Sequence, residues 1–454
     1  MKRIVIKLVS FFLITLIIGL EVVYAVEFTD MYRQDWIKTT DLEISYNSIT
    51  SVSDGYVVVG ESNLNALIVK YSPTGSVVWR HEEAGNLYST YTSIANTGDG
   101  FIVVGSSSST TSVWGNNGFD DAIIVKYNLD GTIAWSHNAG GTHLDRFNSV
   151  IVIDDGYIAV GYSRSTDAIW GNNGSDDAII VKYDLDGTVV WSFNAGGSGY
   201  EEYSSVSSTS DGYIAVGYST STDTIWGNNG GTDAVIVKYD LDGTVLWSHN
   251  VGGSGYDQYT SVVSTDNAYI IVGYSDSSNA IWGNNGGTDA VIVKYNLNGS
   301  IAWYHNEGSS DEDSYSTITA DELGYTVVGL SWSKDAIWGN HIEGVSDTDA
   351  IIVRYDFNGT VITSHSYGNS YNEAFKSVKL VGDSIITVGE TFNSFKSINP
   401  MGLILKYTLK DGIVKNVENP QTGISSVYIV LTVASIGIIS FLILSKKKNL
   451  FAKI

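Results

Sequence analysis

The stretch Ala-Ile-Ile-Val-Lys-Tyr-Asp-Leu-Asp-Gly-Thr-Val-Val-Trp-Ser, from Ala178 to Ser192, decides the fold. It reads as two short apolar strands joined at an Asp-Gly turn, the dipeptide that favours a hairpin. The phrase recurs. Its tryptophan returns as Trp79, Trp135, Trp191, Trp247 and Trp303, 56 residues apart each time. Its glycine returns as Gly75, Gly131, Gly187, Gly243, Gly299, Gly359 and Gly412. Its tyrosine returns as Tyr71, Tyr127, Tyr183, Tyr239, Tyr295, Tyr355 and Tyr407. A second glycine, closing Ile-Ala-Val-Gly, returns as Gly60, Gly105, Gly161, Gly217, Gly273, Gly329 and Gly389. Three of these markers each count seven copies.

One copy suffices to define the unit. In the fourth, strand a lies near Ser204–Ser208, b spans Gly212–Ser219, c spans Ala234–Tyr239 and d spans Thr244–His249. Strands b, c and d alternate or run apolar, and Gly, Asn, Asp and Ser fill the gaps. Four strands per copy, seven times, is the arithmetic of an all-β, seven-bladed β-propeller with four antiparallel strands per blade. A linear β-solenoid is the alternative; it would need capping ends. The last copy lacks the repeat tryptophan. Trp36 precedes Gly60 by 24 residues, much as Trp79 precedes Gly105 by 26. Residues around Trp36–Lys38 are therefore expected to complete the final blade and clasp the ring.

The wording of the repeat resembles a known group. Trp-Ser-His-Asn-Val-Gly-Gly (Trp247–Gly253), Ser-Asp-Gly-Tyr-Ile-Ala-Val-Gly-Tyr-Ser (Ser210–Ser219) and Asp-Ala-Val-Ile-Val-Lys-Tyr (Asp233–Tyr239) are similar to the bacterial β-propeller repeat often called SBBP. The resemblance covers about residues 36–415. It implies a propeller on a secreted or surface protein and no single activity, so function has to be argued from the site.

The two ends carry addresses. Lys2, Arg3 and Lys7, an apolar run from Leu8 to Leu20, and Val23-Tyr24-Ala25 form the plan of a signal peptide over residues 1–25, cut after Ala25. The propeller is then expected over residues 27–418. At the other end Asn419-Pro420-Gln421-Thr422-Gly423 precedes an apolar span, residues 424–445, expected to be a transmembrane helix, and a basic tail, residues 446–454, with Lys446, Lys447 and Lys448. This order resembles a Gram-positive cell-wall sorting signal. The resemblance implies that a sortase cuts between Thr422 and Gly423 and joins Thr422 to peptidoglycan. A plain membrane anchor is the alternative. Either reading places the repeats outside the cell.

Composition narrows the partners. The 454 residues carry 25 Lys+Arg against 49 Asp+Glu, a formal charge of −24. Losing the signal segment (net +2) and everything after Thr422 (net +4) takes this to −30. A phosphate binder needs a basic stripe, so nucleic acid is excluded as a partner. With no Cys, disulfide staples and thiol chemistry are excluded too.

In an antiparallel blade the b–c and d–a loops share one face of the ring, and the tight a–b and c–d turns share the other. The b–c loops are long. Copies two to five carry Trp-Gly-Asn-Asn-Gly: Trp114 with Asn116 and Asn117, Trp170 with Asn172 and Asn173, Trp226 with Asn228 and Asn229, Trp282 with Asn284 and Asn285; copy six keeps Trp338. Loops on a rigid scaffold commonly carry binding, and flat apolar rings beside amide groups suit carbohydrate. These residues are the candidate ligand-binding set. The opposing reading is structural, because a strict repeat poses the same packing problem in every blade.

Catalytic chemistry is sparse. No catalytic residue is assigned, and no HExxH, P-loop or GxSxG motif occurs. His81, His137, His249, His305 and His365 share one repeat slot that also accepts Phe193, as a packing position would. No cofactor is expected beyond Ca²⁺, for which Asp184, Asp186, Asp240 and Asp242 are weak candidates, since Asx-Gly turns form without metal. The expectation is a wall-anchored binding or adhesion module for a glycan or host surface protein. A spacer protein without a dedicated ligand and a polysaccharide-acting hydrolase are the alternatives.

Overall fold

A computed structural model describes residues 27–83, 85–338, 348–368, 371–392 and 399–410. The signal segment, the sorting pentapeptide, the apolar span, the basic tail and residues 339–347 of the sixth b–c loop lie outside them. Among the described residues no helix is long and apolar enough to cross a membrane.

Seven four-stranded antiparallel sheets form the fold, each in the order a-b-c-d. Blades 1 to 6 cover residues 44–83, 89–138, 145–194, 201–251, 257–306 and 313–367. Blade 7 takes a, b and c from Glu373–Val381, Ser384–Thr391 and Met401–Leu409. Its outer strand is Tyr32–Leu42, which pairs with strand c so that Trp36 faces Lys406 and Ile37 faces Leu405. The expected clasp is thus present, and a ring replaces the solenoid alternative. In blade 4, strand b keeps its expected bounds, whereas strand a extends to Glu201–Thr209 and strand d runs over Val245–Val251.

Strands b and c are buried almost throughout, and seven apolar clusters fill the spaces between neighbouring blades, the first of them also packing the one-turn helix Phe28–Met31. Strand d is the exposed outer edge. Strand a is innermost. There the amides of Ile94, Val150, Val262 and Ile318 donate to Ser48, Ser93, Ser205 and Ser261 of the preceding blades, at 3.3–3.4 Å.

The repeated residues have identifiable jobs. The strand-d tryptophan of one blade packs on the aromatic at the second position of strand b of the next: Trp135 on Tyr157, Trp191 on Tyr213, Trp247 on Tyr269. Trp36 meets Tyr56 in the same way, so blade 7 regains its tryptophan from the N-terminal strand. The c–d turn glycines have φ near +80°, as Gly187 (+82°) does, and a Cβ there would lie 2.7 Å from the His137 ring of the preceding blade. The strand-b glycine has another cause. A Cβ at Gly217 would sit 1.8 Å from the Glu202 carbonyl, and all seven equivalents meet strand a at 1.8–2.0 Å. Opposite this glycine every strand a carries a bulge, as between Tyr203 and Ser205. Bulges re-aim side chains; this one leaves the fourth residue of strand a, such as Ser204, unpaired, while ordinary alternation turns the second away from the blade core.

Candidate functional site

The tryptophans of the b–c loops point inward. Trp114, Trp170, Trp226, Trp282 and Trp338 are 3–9% exposed and pack edge-on or tilted against the third residue of strand a, Tyr91, Phe147, Tyr203, Tyr259 and Tyr315, at 5.9–6.5 Å. Their ring faces are not open to a sugar in this structure. The residue before each, such as Val113, Ile169 or Ile225, is what the loop shows to solvent.

The asparagines hold the loop to itself. Asn116 donates to the carbonyls of Ser107 and Phe119, and Asn117 donates to Asn138 and to the Gly140 carbonyl. Asn172 and Asn173, Asn228 and Asn229, and Asn284 and Asn285 repeat this pattern with their own neighbours.

Beneath these loops lie buried acids. Asp121, Asp177, Asp233 and Asp289 begin strand c; in each Oδ2 accepts from a loop amide (Asn117, Asn173, Asn229 or Asn285) and from a strand-d asparagine, and Oδ1 is buried without a partner. That Oδ1 packs against the glycine that follows strand d by two residues: a Cβ at Gly196 would lie 2.2 Å from that of Asp177. Asp145, Glu201, Asp257 and Asp313 begin strand a and accept from loop amides and from serines at or just beyond the end of strand b; the Ser165 hydroxyl reaches Asp145 at 2.7 Å. Burial pushes most of these carboxyls up, Asp121, Asp145, Asp177, Asp257, Asp289 and Asp313 among them.

At the c–d turns, Oδ1 of Asp184 accepts the amides of Asp186 and Thr188, and that of Asp240 accepts those of Asp242 and Thr244. These are Asx turns, in which one oxygen of each first aspartate serves the backbone. Among the described residues no group of three or more His, Asp or Glu could hold a metal ion.

The residues that break the repeat lie elsewhere, along the axis. The second residue of strand a and its partner in strand b read, from blade 1 to blade 7, Ser45/Glu61, Thr90/Ser106, Arg146/Tyr162, Glu202/Tyr218, Gln258/Tyr274, Ser314/Leu330 and Ala374/Glu390. No two pairs are alike. They stand at the long-loop end of the axis, where strand a begins. Most are half-buried, within strands otherwise buried.

A polar network joins these slots. Tyr218 and Asn148 donate to Glu202 at 3.1 and 2.9 Å. Tyr274 donates to Gln258 at 2.7 Å, which donates to Ser204. Lys376 donates to Glu390 and Ser45, and Tyr88 donates to Glu61. Burial pushes the Glu202 carboxyl up, against the pull of the Tyr218 hydroxyl, the Arg146 charge and the Asn148 amide. Burial, helped by Glu61, pushes Tyr88 up to about 12. Above this end the d–a loops expose Tyr200 and Tyr256, and Trp332 follows strand b of blade 6, 38% exposed. At the tight-turn end the axis opens into a cavity of about 710 Å³ lined by Thr50, Asn96, Ile151, Ser208 and Lys379 among others.

Sequence reading missed this axial set because it searched for what recurs. The usable signal was the reverse: a slot between an acid and an aromatic, in a strand otherwise copied, that never holds the same pair twice.

The comparisons with known proteins follow the fold. A family model described as outer membrane protein assembly factor BamB matches residues 29–176. No curated protein sequence matches the chain. Among solved structures, Drosophila Plexin A in complex with Semaphorin 1b aligns over 83% of this chain and 87% of its own, at 8% identity and a TM-score of 0.45. Phage phi92 endosialidase aligns over 87% of this chain and 72% of its own, at 10% identity and a TM-score of 0.42. Seven closed four-stranded blades and the match to a repeat family make this chain a β-propeller repeat protein.

Proposed function

We propose that this chain is an exported, surface-held binding protein of the SBBP-like kind, which reads a glycan at the long-loop end of its axis. The observation that carries the proposal is the set of seven unlike pairs at one repeat slot, with Tyr200 and Tyr256 exposed on loops of the same face. Structure alone asks for the same residue in each blade; a bound ligand of lower symmetry does not. Tyrosine and tryptophan faces with fixed amide and carboxyl partners suit sugar rings and hydroxyls.

Orientation supports the reading. Strand c of blade 7 ends at Leu409 opposite Tyr32, and the Lys410 amide donates to the Met31 carbonyl at 2.8 Å. The chain therefore enters and leaves the ring on the tight-turn face. A protein held by its C-terminal segment, through a sortase at Thr422 or an apolar span at residues 424–445, presents the long-loop face outward.

The test is a glycan and matrix-protein array probed with the full-length chain, beside Glu202→Gln and Gln258→Ala variants of unchanged melting temperature. Glycan binding that either variant weakens about tenfold supports the axial site. Binding that survives both would move the site off the axis. The spacer reading has its own support in the buried loop tryptophans, and it predicts an array with no signal.

A further inference from the structure

Five arginines lie among the described residues. Arg33, Arg80, Arg164 and Arg354 pair with Asp35, Glu82, Asp176 and Asp321. Arg146 pairs with none, and its Nε is buried without a hydrogen-bond partner. It occupies the axial slot of blade 3, facing Tyr162 in register. Tyr162 also lacks a hydroxyl partner among the described residues; only burial and nearby charges act on it.

The neighbouring slots show what a closed pair looks like. In blade 4 Tyr218 donates to Glu202, and in blade 5 Tyr274 donates to Gln258. Arg146 and Tyr162 are both donors on facing strands, and neither can serve the other as a charged acceptor. Glu202 is near enough for the Arg146 charge to act on it, yet the two make no hydrogen bond or ion pair, and the Glu202 oxygens accept from Tyr218 and Asn148 instead. Blade 3 thus holds an open donor pair in a strongly acidic molecule.

We infer that Arg146 and Tyr162 form the subsite for a carboxylate carried by an acidic oligosaccharide, a uronate-bearing glycan. The guanidinium fork matches a carboxylate with two parallel hydrogen bonds, and the Tyr162 hydroxyl supplies a third donor. The exposed rings of Tyr200 and Tyr256, in the d–a loops of the same face, favour a sugar over a peptide. This inference rests on the glycan-binding reading and names its ligand class.

The experiment uses an array of uronate-bearing oligosaccharides, each beside its carboxyl-reduced counterpart, probed with the full-length chain and with Arg146→Gln, Arg146→Lys and Tyr162→Phe. The expected result is binding of the acidic members only. It should be weakened roughly tenfold or more by Arg146→Gln, less by Arg146→Lys and a few-fold by Tyr162→Phe. Melting temperature should change little in Arg146→Gln, since no hydrogen bond or ion pair is lost and only charge interactions such as that with Glu202 go. Equal binding of reduced members, or of acidic members by Arg146→Gln, overturns this subsite and leaves glycan binding standing. Silence from every member likewise overturns this subsite, and silence from the broader glycan array as well overturns the glycan reading itself.

Discussion

Trp36, in the strand that closes the ring, packs its indole against Tyr56 of the first blade with ring centroids 6.3 Å apart, the contact that Trp135 makes with Tyr157 at 6.1 Å between blades 2 and 3. Its Nε1 also donates to the Pro73 carbonyl. The seam therefore repeats the contact made between other blades, and the strand that supplies Trp36 is itself held by strand c from the far end of the described chain. Trp36→Ala should destabilise the protein by about 2–4 kcal/mol, somewhat under the usual cost of a fully buried ring. Removing residues 27–40 should lower the melting temperature further, because it bares the edge of strand c in blade 7. Unchanged melting in a calorimeter would remove the clasp from the account.

The loop tryptophans give the second prediction. Trp170, Trp226 and Trp282 are core residues, so replacing any one with Ala should cost about 3–5 kcal/mol. Any loss of ligand binding should track the unfolded fraction. A variant that melts like the parent and no longer binds would return these rings to the ligand site.

A gap in the repeat allows a stabilising change. In five blades the strand-a tyrosine bonds the strand-c tyrosine, as Tyr203 does with Tyr239 at 2.6 Å. Blades 3 and 7 have Phe147 and Phe375 instead, and the Tyr183 and Tyr407 hydroxyls are buried with no partner. The Phe147 and Tyr183 rings already lie 6.2 Å apart at 89°, as in the bonded pairs. Phe147→Tyr should raise stability by about 1 kcal/mol. A lower denaturation midpoint would show that no room exists for the oxygen.

Stability should depend on pH with an unusual sign. Burial raises the folded-state pKa of Asp121, Asp145, Asp177, Asp257, Asp289 and Asp313 above 3.8, and takes Glu307 to about 7. Between the unfolded and folded values the folded state binds more protons, so stability rises as pH falls. Working against this, Lys70, Lys126 and Lys238 hold Asp54, Asp99 and Asp211 below the ordinary value, and that contribution is lost as pH falls through about 4 and below. Melting temperature should thus peak at mildly acidic pH, above its value at pH 7. A steady fall from neutrality to about pH 5 by scanning calorimetry would contradict the burial argument.

Much of the fold was legible because a propeller repeats its solution. Trp191, Gly187 and Gly217 recur since each blade boundary, c–d turn and strand-a bulge poses one steric problem. Strand order and faces followed from antiparallel alternation alone, and the clasp from the spacing of Trp36. Which way Trp170 points was not legible, because a ring that packs inward and one that faces solvent leave the same letters in a loop. Strand a was read three residues short at its start because Glu201 and Glu202 look like loop; they belong to the strand through Ser219 and Tyr218. Arg146 stayed hidden for another reason: periodicity reveals constancy, and this slot is defined by its absence.

The closing strand also has a mechanical meaning. Strand c of blade 7 lies between two antiparallel ladders, eight residue pairs to strand b on one side and eight to the N-terminal strand on the other. Tension applied to the chain beyond Lys410 runs along that strand, so both ladders are loaded in shear and their hydrogen bonds must fail together rather than one after another. Drawn from that side, the ring behaves as a rivet, tightest where the two ends of the polypeptide overlap.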